Sequence, residues 1–147
     1  MNPAGLHIVN VIDALPDDFA AMRAEALAEG FRHLERLALD WASGAIRFDQ
    51  PGEALLAAQL AGALAGIGGL TIDPAVAGAL RMRRFYVRAP FRRRGVAAAL
   101  ARALIARASR ATRVITANAP PEAAAFWQSV GFVPDRRDGH THVMRLS

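Results

Sequence analysis

Residues 81–113 read RMRRFYVRAPFRRRGVAAALARALIARASRATR, and they decide how the rest of the chain is read. The stretch holds eleven of the eighteen Lys+Arg residues and no Asp or Glu, so a segment of charge +11 lies in a chain of net +5. The remaining residues are therefore net acidic. Residues 80–88 read as a strand, Ala89 and Pro90 break it, and an Ala- and Leu-rich run from Gly95 to about residue 108 has helical character. A strand thus passes through a glycine turn into a helix. The first N–H groups of a helix lack intrahelical acceptors, the helix dipole adds partial positive charge, and glycine lets the backbone approach an oxyanion closely. With Arg92, Arg93 and Arg94 alongside, the natural guest is a polyphosphate.

Two common phosphate loops fail to match. A Walker loop ends in Gly-Lys-Ser/Thr, and the chain has no lysine. A dinucleotide turn needs three spaced glycines, and only Gly95 is present here. The pattern that fits is Arg/Gln-x-x-Gly-x-Gly/Ala, as Arg92-x-x-Gly95-x-Ala97, preceded by Phe85-Tyr86-Val87-Arg88-Ala89-Pro90. A second block follows: Thr116-Ala117-Asn118-Ala119, then Ala125-Phe126-Trp127-Gln128-Ser129-Val130-Gly131-Phe132. The C-terminal run is Gly139-His140-Thr141-His142-Val143-Met144-Arg145-Leu146.

These three blocks, in this order, resemble the acetyl-CoA loop, the closing Asn-Ala…Phe-Tyr…Gly-Phe pattern and the final strand of the GNAT N-acetyltransferases. The resemblance spans roughly residues 80–147, with the first half matching in pattern only. It implies an α/β (α+β) fold, a mixed, mostly antiparallel central sheet flanked by helices, and acetyl-CoA as acetyl donor. It also implies roles. Phe85 and Val87 would pair with the pantetheine arm, the Val87 N–H would receive the oxyanion, and the N–H groups of Arg93, Arg94, Gly95, Val96, Ala97 and Ala98 would hold the pyrophosphate. Arg92 takes the motif's first position. Asn118 either contacts the cofactor or caps a turn. Trp127 stands where the family usually has a tyrosine acid; an indole N–H is a donor only and cannot protonate a thiolate, so water or Tyr86 takes that part and Trp127 reads as packing against the cofactor side. His142 is the leading base candidate, with Glu29 and Glu35 as the others.

Length and composition set the outer bounds. The chain has 147 residues with 53% hydrophobic side chains, which suits one domain over residues 1–147 with a substantial core. It has no cysteine, which removes disulfides, thiol nucleophiles and Cys-ligated zinc. Without lysine there is no side-chain amine for Schiff-base chemistry. The N-terminal residues lack the basic and apolar regions of a secretory signal, so a cytoplasmic location is expected.

Along the chain, residues 6–12 read as a first strand and Phe19, Met22, Ala26 and Leu27 as a helix face ending near Gly30. Phe31, Leu34, Ala38 and Trp41 suggest a second helix to about Gly44. In the resembled family such helices line the acceptor side, making Glu29, Arg32, His33 and Glu35 candidate substrate contacts, although charges at helical spacing more often mark a solvated face. Residues 54–72 are nineteen without a charge, but the glycines and Gln59 and the lack of a basic flank favour two buried strands turning near Ala61 and Gly62 over a membrane span. Gly68 and Gly69 suggest a bulge or a close backbone approach. The last strands are expected at residues 132–134 and 142–146, separated by a polar turn over 135–139. His140 and His142 share a strand face, yet no third ligand accompanies them, so no metal is expected.

The resulting expectation is an acetyl-CoA-dependent N-acetyltransferase acting on an amine of a small molecule or peptide by direct attack in a ternary complex, with a homodimer possible. One alternative is a module that binds acyl-CoA without turnover. A basic nucleic-acid binder is another, since eleven arginines could neutralise phosphates.

Overall fold

The computed structural model describes residues 2–137 and 139–147. The uncharged residues 54–72 form the middle of a seven-stranded sheet as β2 (Ala54–Leu60) and β3 (Ala63–Ile72). Both strands are covered on both faces, which is why their sequence shows no polar alternation. They are joined at Ala61 and Gly62, both at positive φ (52° and 83°), as a two-residue hairpin turn requires.

Around this hairpin the order is β1-β2-β3-β4-β5-β7-β6, with β1 (Leu6–Asn10), β4 (Leu80–Val87), β5 (Val114–Ala117), β6 (Val133–Arg137) and β7 (His140–Arg145). All neighbours are antiparallel except β4 and β5, which are parallel. One face carries α1 (Phe19–Ala28) and α2 (His33–Ser43), whose Phe19, Met22, Leu34, Leu37 and Trp41 pack with Leu55, Ala57, Leu64 and Ile67 of the sheet. The other carries α3 (Val96–Ala108) and α4 (Ala124–Ser129), where Val96, Leu100, Leu104 and Trp127 pack with Leu56, Leu70, Leu80 and Ile115. This is the mixed, mostly antiparallel sheet flanked by helices that the sequence suggests. No described helix is long and apolar enough to cross a membrane.

Three local readings need adjustment. Phe31 lies before α2 and is 40% exposed; Leu37 takes its place on the buried face. The α2 helix does stop at Gly44, at φ 80°. The expected turn over residues 135–139 is shorter, because β6 continues through Arg137 and β7 begins at His140. Antiparallel pairing with β7 outweighs the polar character of the segment.

Candidate active site

The site begins with a strand that runs out of partner. β4 pairs with β5 only through Leu80↔Ile115 and Arg81↔Thr116; beyond them the strands diverge. The opening is a cleft of about 870 Å³ whose walls include Phe85, Tyr86 and Val87 of β4, Ala117 and Asn118 after β5, Trp127 of α4 and His33 of α2. It reaches from the α4 face of the sheet to the α2 face.

A bulge sets what β4 shows to each face. Gly69 pairs with Arg83 and Ile67 with Tyr86, so the single residue Gly68 on β3 opposes Arg84 and Phe85 on β4. Arg84 has φ 62°. The inserted residue shifts the side-chain alternation: Leu80 and Met82 pack on the α3 side, and so do Phe85 and Val87, whereas Tyr86 packs with the α1 and α2 cluster. Gly68 suits this arrangement, since a Cβ there would lie 2.9 Å from the Phe85 ring and force the ring to shift. The Arg88 N–H donates to Ala65 O on β3 (2.8 Å), so alternation turns the Val87 N–H to the opposite edge, into the cleft.

Beyond β4 the chain forms the loop and helix start read from the sequence. Gly95 caps α3 at φ 79° without a side-chain cap, and Arg93 also has positive φ, 63°. The Ala99 N–H is the first to find a helical acceptor, Gly95 O at 3.0 Å. Among the described residues the N–H groups of Arg93, Arg94, Gly95, Val96, Ala97 and Ala98 have no acceptor. A hollow of about 240 Å³ lies over them, lined by Val87, Arg93, Gly95, Ala97, Ala98 and Phe126 among others. Six open N–H groups at a helix N-terminus form a concave anion cradle. Arg93 borders it, and the side chains of both Arg93 and Arg94 are exposed.

Arg92 is committed elsewhere. Its guanidinium makes a two-pronged pair with Glu29 (2.8 and 2.6 Å) and its Nε donates to Val87 O at 2.9 Å. It lies 5.4 Å over the Tyr86 ring. Arg88 is held alike by Glu25 at 2.9 and 2.6 Å. Glu25 of α1 and Glu29 at its C-cap thus clamp the helix to the end of β4 and its loop.

This clamp settles the ionisation of its members. Arg92, and after it the Tyr86 hydroxyl, hold the Glu29 carboxyl at about 2. Burial, followed by its hydrogen bond to Glu29, pushes the Tyr86 phenol up to about 12. Glu29 is too weak a base, and Tyr86 too weak an acid, for proton transfer near neutrality. Glu35 is likewise occupied, bonded to Arg23 at 2.7 and 3.2 Å, which lowers its pKa.

His33 is different. Its Nε2 lies 2.7 Å from Phe85 O, and a carbonyl can only accept, so Nε2 carries the proton and Nδ1 keeps the lone pair. Burial first, and then the nearby Arg84 and Arg36, lower its pKa below the ordinary histidine value of 6.5, against the raising effect of the Phe85 carbonyl. A neutral imidazole therefore stands at the cleft-side edge of β4.

The remaining candidates lie around this centre or away from it. His142 is buried in β7 and is absent from the cleft wall: the Gln128 amide donates to its Nε2 at 3.2 Å, which puts the proton on Nδ1, 2.8 Å from Thr141 Oγ1. His140 bonds Asp135 at 3.1 Å, and the described residues contain no group of three or more His, Cys, Asp or Glu able to hold a metal. Trp127 stacks edge-on with Phe85, Phe126 and Phe132 at centroid distances of 4.9, 5.0 and 5.2 Å, walling the cleft. Asn118 is exposed on the cleft wall, and Arg32 is exposed outside it. Arg36, Arg81, Arg83 and Arg84 line the cleft although no site role is read for them in the sequence; the eleven-arginine run points to the last three, and Arg36 reads only as a charge on the second helix.

The sheet opens between two parallel strands with an anion cradle at the following helix, and comparison with known proteins gives the class this arrangement belongs to. Residues 20–145 match the model of the acetyltransferase (GNAT) domain. The chain belongs to the GNAT acetyltransferase family. Among solved structures, a protein of Exiguobacterium sp. 255-15 assigned as an acetyltransferase superposes with TM-score 0.86 at 23% identity, over 95% of this chain and 93% of that one. The Salmonella typhimurium protein yncA, also assigned as an acetyltransferase and solved with its cofactor acetyl-CoA, gives TM-score 0.68 at 17% identity over 97% and 95%. Glucosamine-6-phosphate N-acetyltransferase from Arabidopsis thaliana gives 0.62 at 13% over 90% and 94%. At these identities the likeness is one of fold. No protein of curated function matches the sequence.

Proposed function

We propose that the protein transfers the acetyl group of acetyl-CoA to an amine of a small molecule or peptide, by direct attack in a ternary complex. The observation that carries this reading is the pairing of two donor sites on one stretch of chain, the Val87 N–H on the cleft-side edge of β4 and the six open N–H groups at the start of α3, with the N–H groups of Arg88, Phe91 and Arg92 between them engaged. The yncA structure with acetyl-CoA supports the donor.

The cradle from Arg93 to Ala98 takes the pyrophosphate, and the edge of β4 receives the pantetheine arm as an added strand. Val87 N–H donates to the oxyanion that forms as the amine nitrogen bonds to the thioester carbon. His33 Nδ1 takes the amine proton, and the resulting imidazolium is steadied by its Nε2–H on Phe85 O. When the C–S bond breaks, the sulfur leaves as a thiolate; with a thiol pKa near about 8.5 it needs no strong acid and takes a proton from water. Trp127 shapes the cleft wall without joining the proton transfers.

Calorimetric titration with acetyl-CoA and with CoA, followed by thiol release against a panel of amines, tests the reading. Binding with release is the expected result. Absence of acetyl-CoA binding defeats it, and binding without release for every amine favours a non-catalytic acyl-CoA module.

A further inference from the structure

Four arginines line the α2 side of the cleft: Arg36 on α2, and Arg81, Arg83 and Arg84 on β4. Alternation directs Arg81 and Arg83 to this side, because Leu80 and Met82 face α3. The only carboxylate among the described residues of the wall is Glu122, which precedes α4. The arginines are unequally matched. Arg84 meets Asp40 at 3.5 Å. Arg83 is half-buried and reaches only the Thr71 hydroxyl at 3.4 Å, and neither Arg83 nor Arg36 has a carboxylate within 4.0 Å among the described residues. Burial, followed by repulsion from Arg84 and Arg81, lowers the Arg83 pKa. Gathering the half-buried Arg81, Arg83 and Arg84 on one wall, beside the exposed Arg36, is unfavourable without an anion to match them. The pyrophosphate does not supply that anion, since the hollow over its cradle at α3 adjoins the cleft through Val87, Arg92 and Phe126 and is lined by none of these four arginines.

The position of the base narrows the ligand. His33 is one helical turn before Arg36 on α2, and the Phe85 carbonyl that holds it is two residues beyond Arg83. A guanidinium fork matches the planar oxygen pair of a carboxylate or two oxygens of a phosphate. We propose that the acceptor is an amine bearing its own oxyanion group, carboxylate or phosphate monoester, which Arg83 and Arg36 seat on the α2 side while the amine faces His33. This inference rests on the acetyltransferase reading and adds the class of acceptor.

The test uses matched acceptors with and without the anion: O-phosphoethanolamine against ethanolamine, and β-alanine against its amide. Thiol release is measured at saturating acetyl-CoA for wild type, Arg83→Gln and Arg36→Gln. The expected result is a kcat/KM at least about tenfold higher for the anionic member of one pair. Either substitution should remove that preference and leave the acetyl-CoA Kd within about twofold. Which pair shows the effect separates phosphate from carboxylate. Equal use of both members, or a preference that survives both substitutions, overturns the proposal; so does a large loss of acetyl-CoA affinity in Arg83→Gln, which would place the arginine in the donor site. If none of the four amines is acetylated, inorganic phosphate and glutarate are titrated into the CoA-saturated protein. Binding weakened about tenfold by Arg83→Gln supports the proposal, and no binding or unchanged binding overturns it. Failure to bind acetyl-CoA at all is a different outcome, which defeats the acetyltransferase reading and removes the ground for this one.

Discussion

Arg88 and Arg92 share a residue type and a neighbourhood with Arg83, yet they meet opposite fates. The first two are gripped in two-pronged pairs by Glu25 of α1 and by Glu29 just after it, and Arg92 reaches back to Val87 O as well. Arg83 has a single long contact to a hydroxyl. A guanidinium that already holds a carboxylate in both prongs is part of the scaffold. One lacking such a partner beside an open cleft is available to a ligand. The density of arginine in residues 81–113 therefore hides a division of labour, set by where the acids of α1 and α2 fall.

The largest effect that sharpens this contrast is expected at the boundary between the sets. His33→Gln should lower kcat/KM by about 10² to 10⁴ with acetyl-CoA affinity retained. Because its pKa is depressed, wild-type activity should persist below pH 6.5 before falling as Nδ1 protonates, and the variant should lose that acidic limb. A His33→Gln enzyme with wild-type pH profile and rate would remove His33 as the base. Next is Gly95→Asp. A Cβ has room there, the nearest atom being Pro3 Cγ at 3.8 Å, but the φ of 79° strains a side-chain-bearing residue, so the substitution adds backbone strain to the negative charge it sets in the cradle. Acetyl-CoA affinity measured by calorimetry should fall on the order of 100-fold, as expected for losing a charged hydrogen-bond site. Unchanged affinity would mean that the phosphates sit elsewhere.

Arg92 should matter less for binding than for shape. Glu29→Gln breaks a part-exposed ion pair and should cost about 0.2 to 1 kcal/mol, read as a fall of a few degrees in Tm. The sign with pH follows from the lowered carboxyl. Stability from the pair is fully present above the ordinary glutamate pKa of about 4.5 and is lost as pH falls toward about 2. Wild type and variant should converge in Tm over that window, and a gap that stays constant would assign the stability to something other than the charge. Trp127→Tyr should have the smallest effect, leaving acetyl-CoA affinity within about twofold, because the ring contributes packing with Phe85. A tenfold or larger loss would show that the indole touches the donor.

Local chemistry was legible in the sequence and distant pairing was not. The strand, Gly95 turn and helix are adjacent in the chain, so residue types alone place the cradle; the uncharged hairpin is equally self-contained. The fate of Arg92 depends on Glu29, 63 residues away, and that of His33 on Phe85, 52 residues away. Nothing in the local sequence separates His33, whose Nδ1 is open, from His142, whose two nitrogens are engaged by Gln128 and Thr141. The bulge is intermediate: the broken alternation of Arg81, Arg83 and Arg84 and the paired glycines mark an irregularity, but its register appears only when β3 and β4 are aligned.

The single extra residue in β4 has a consequence for how such a molecule diversifies. Before the bulge, odd-numbered side chains face α2; after it they face α4, so the strand changes phase partway along its length. Substitution at residues 81 and 83 then alters one chamber, and substitution at 85 and 87 alters the other. Drift on the α2 side of the cleft is uncoupled from the surface formed by Phe85 and Val87, and deleting Arg84 would restore strict alternation while leaving Phe85 and Val87 on the α4 side and Tyr86 on the α2 side.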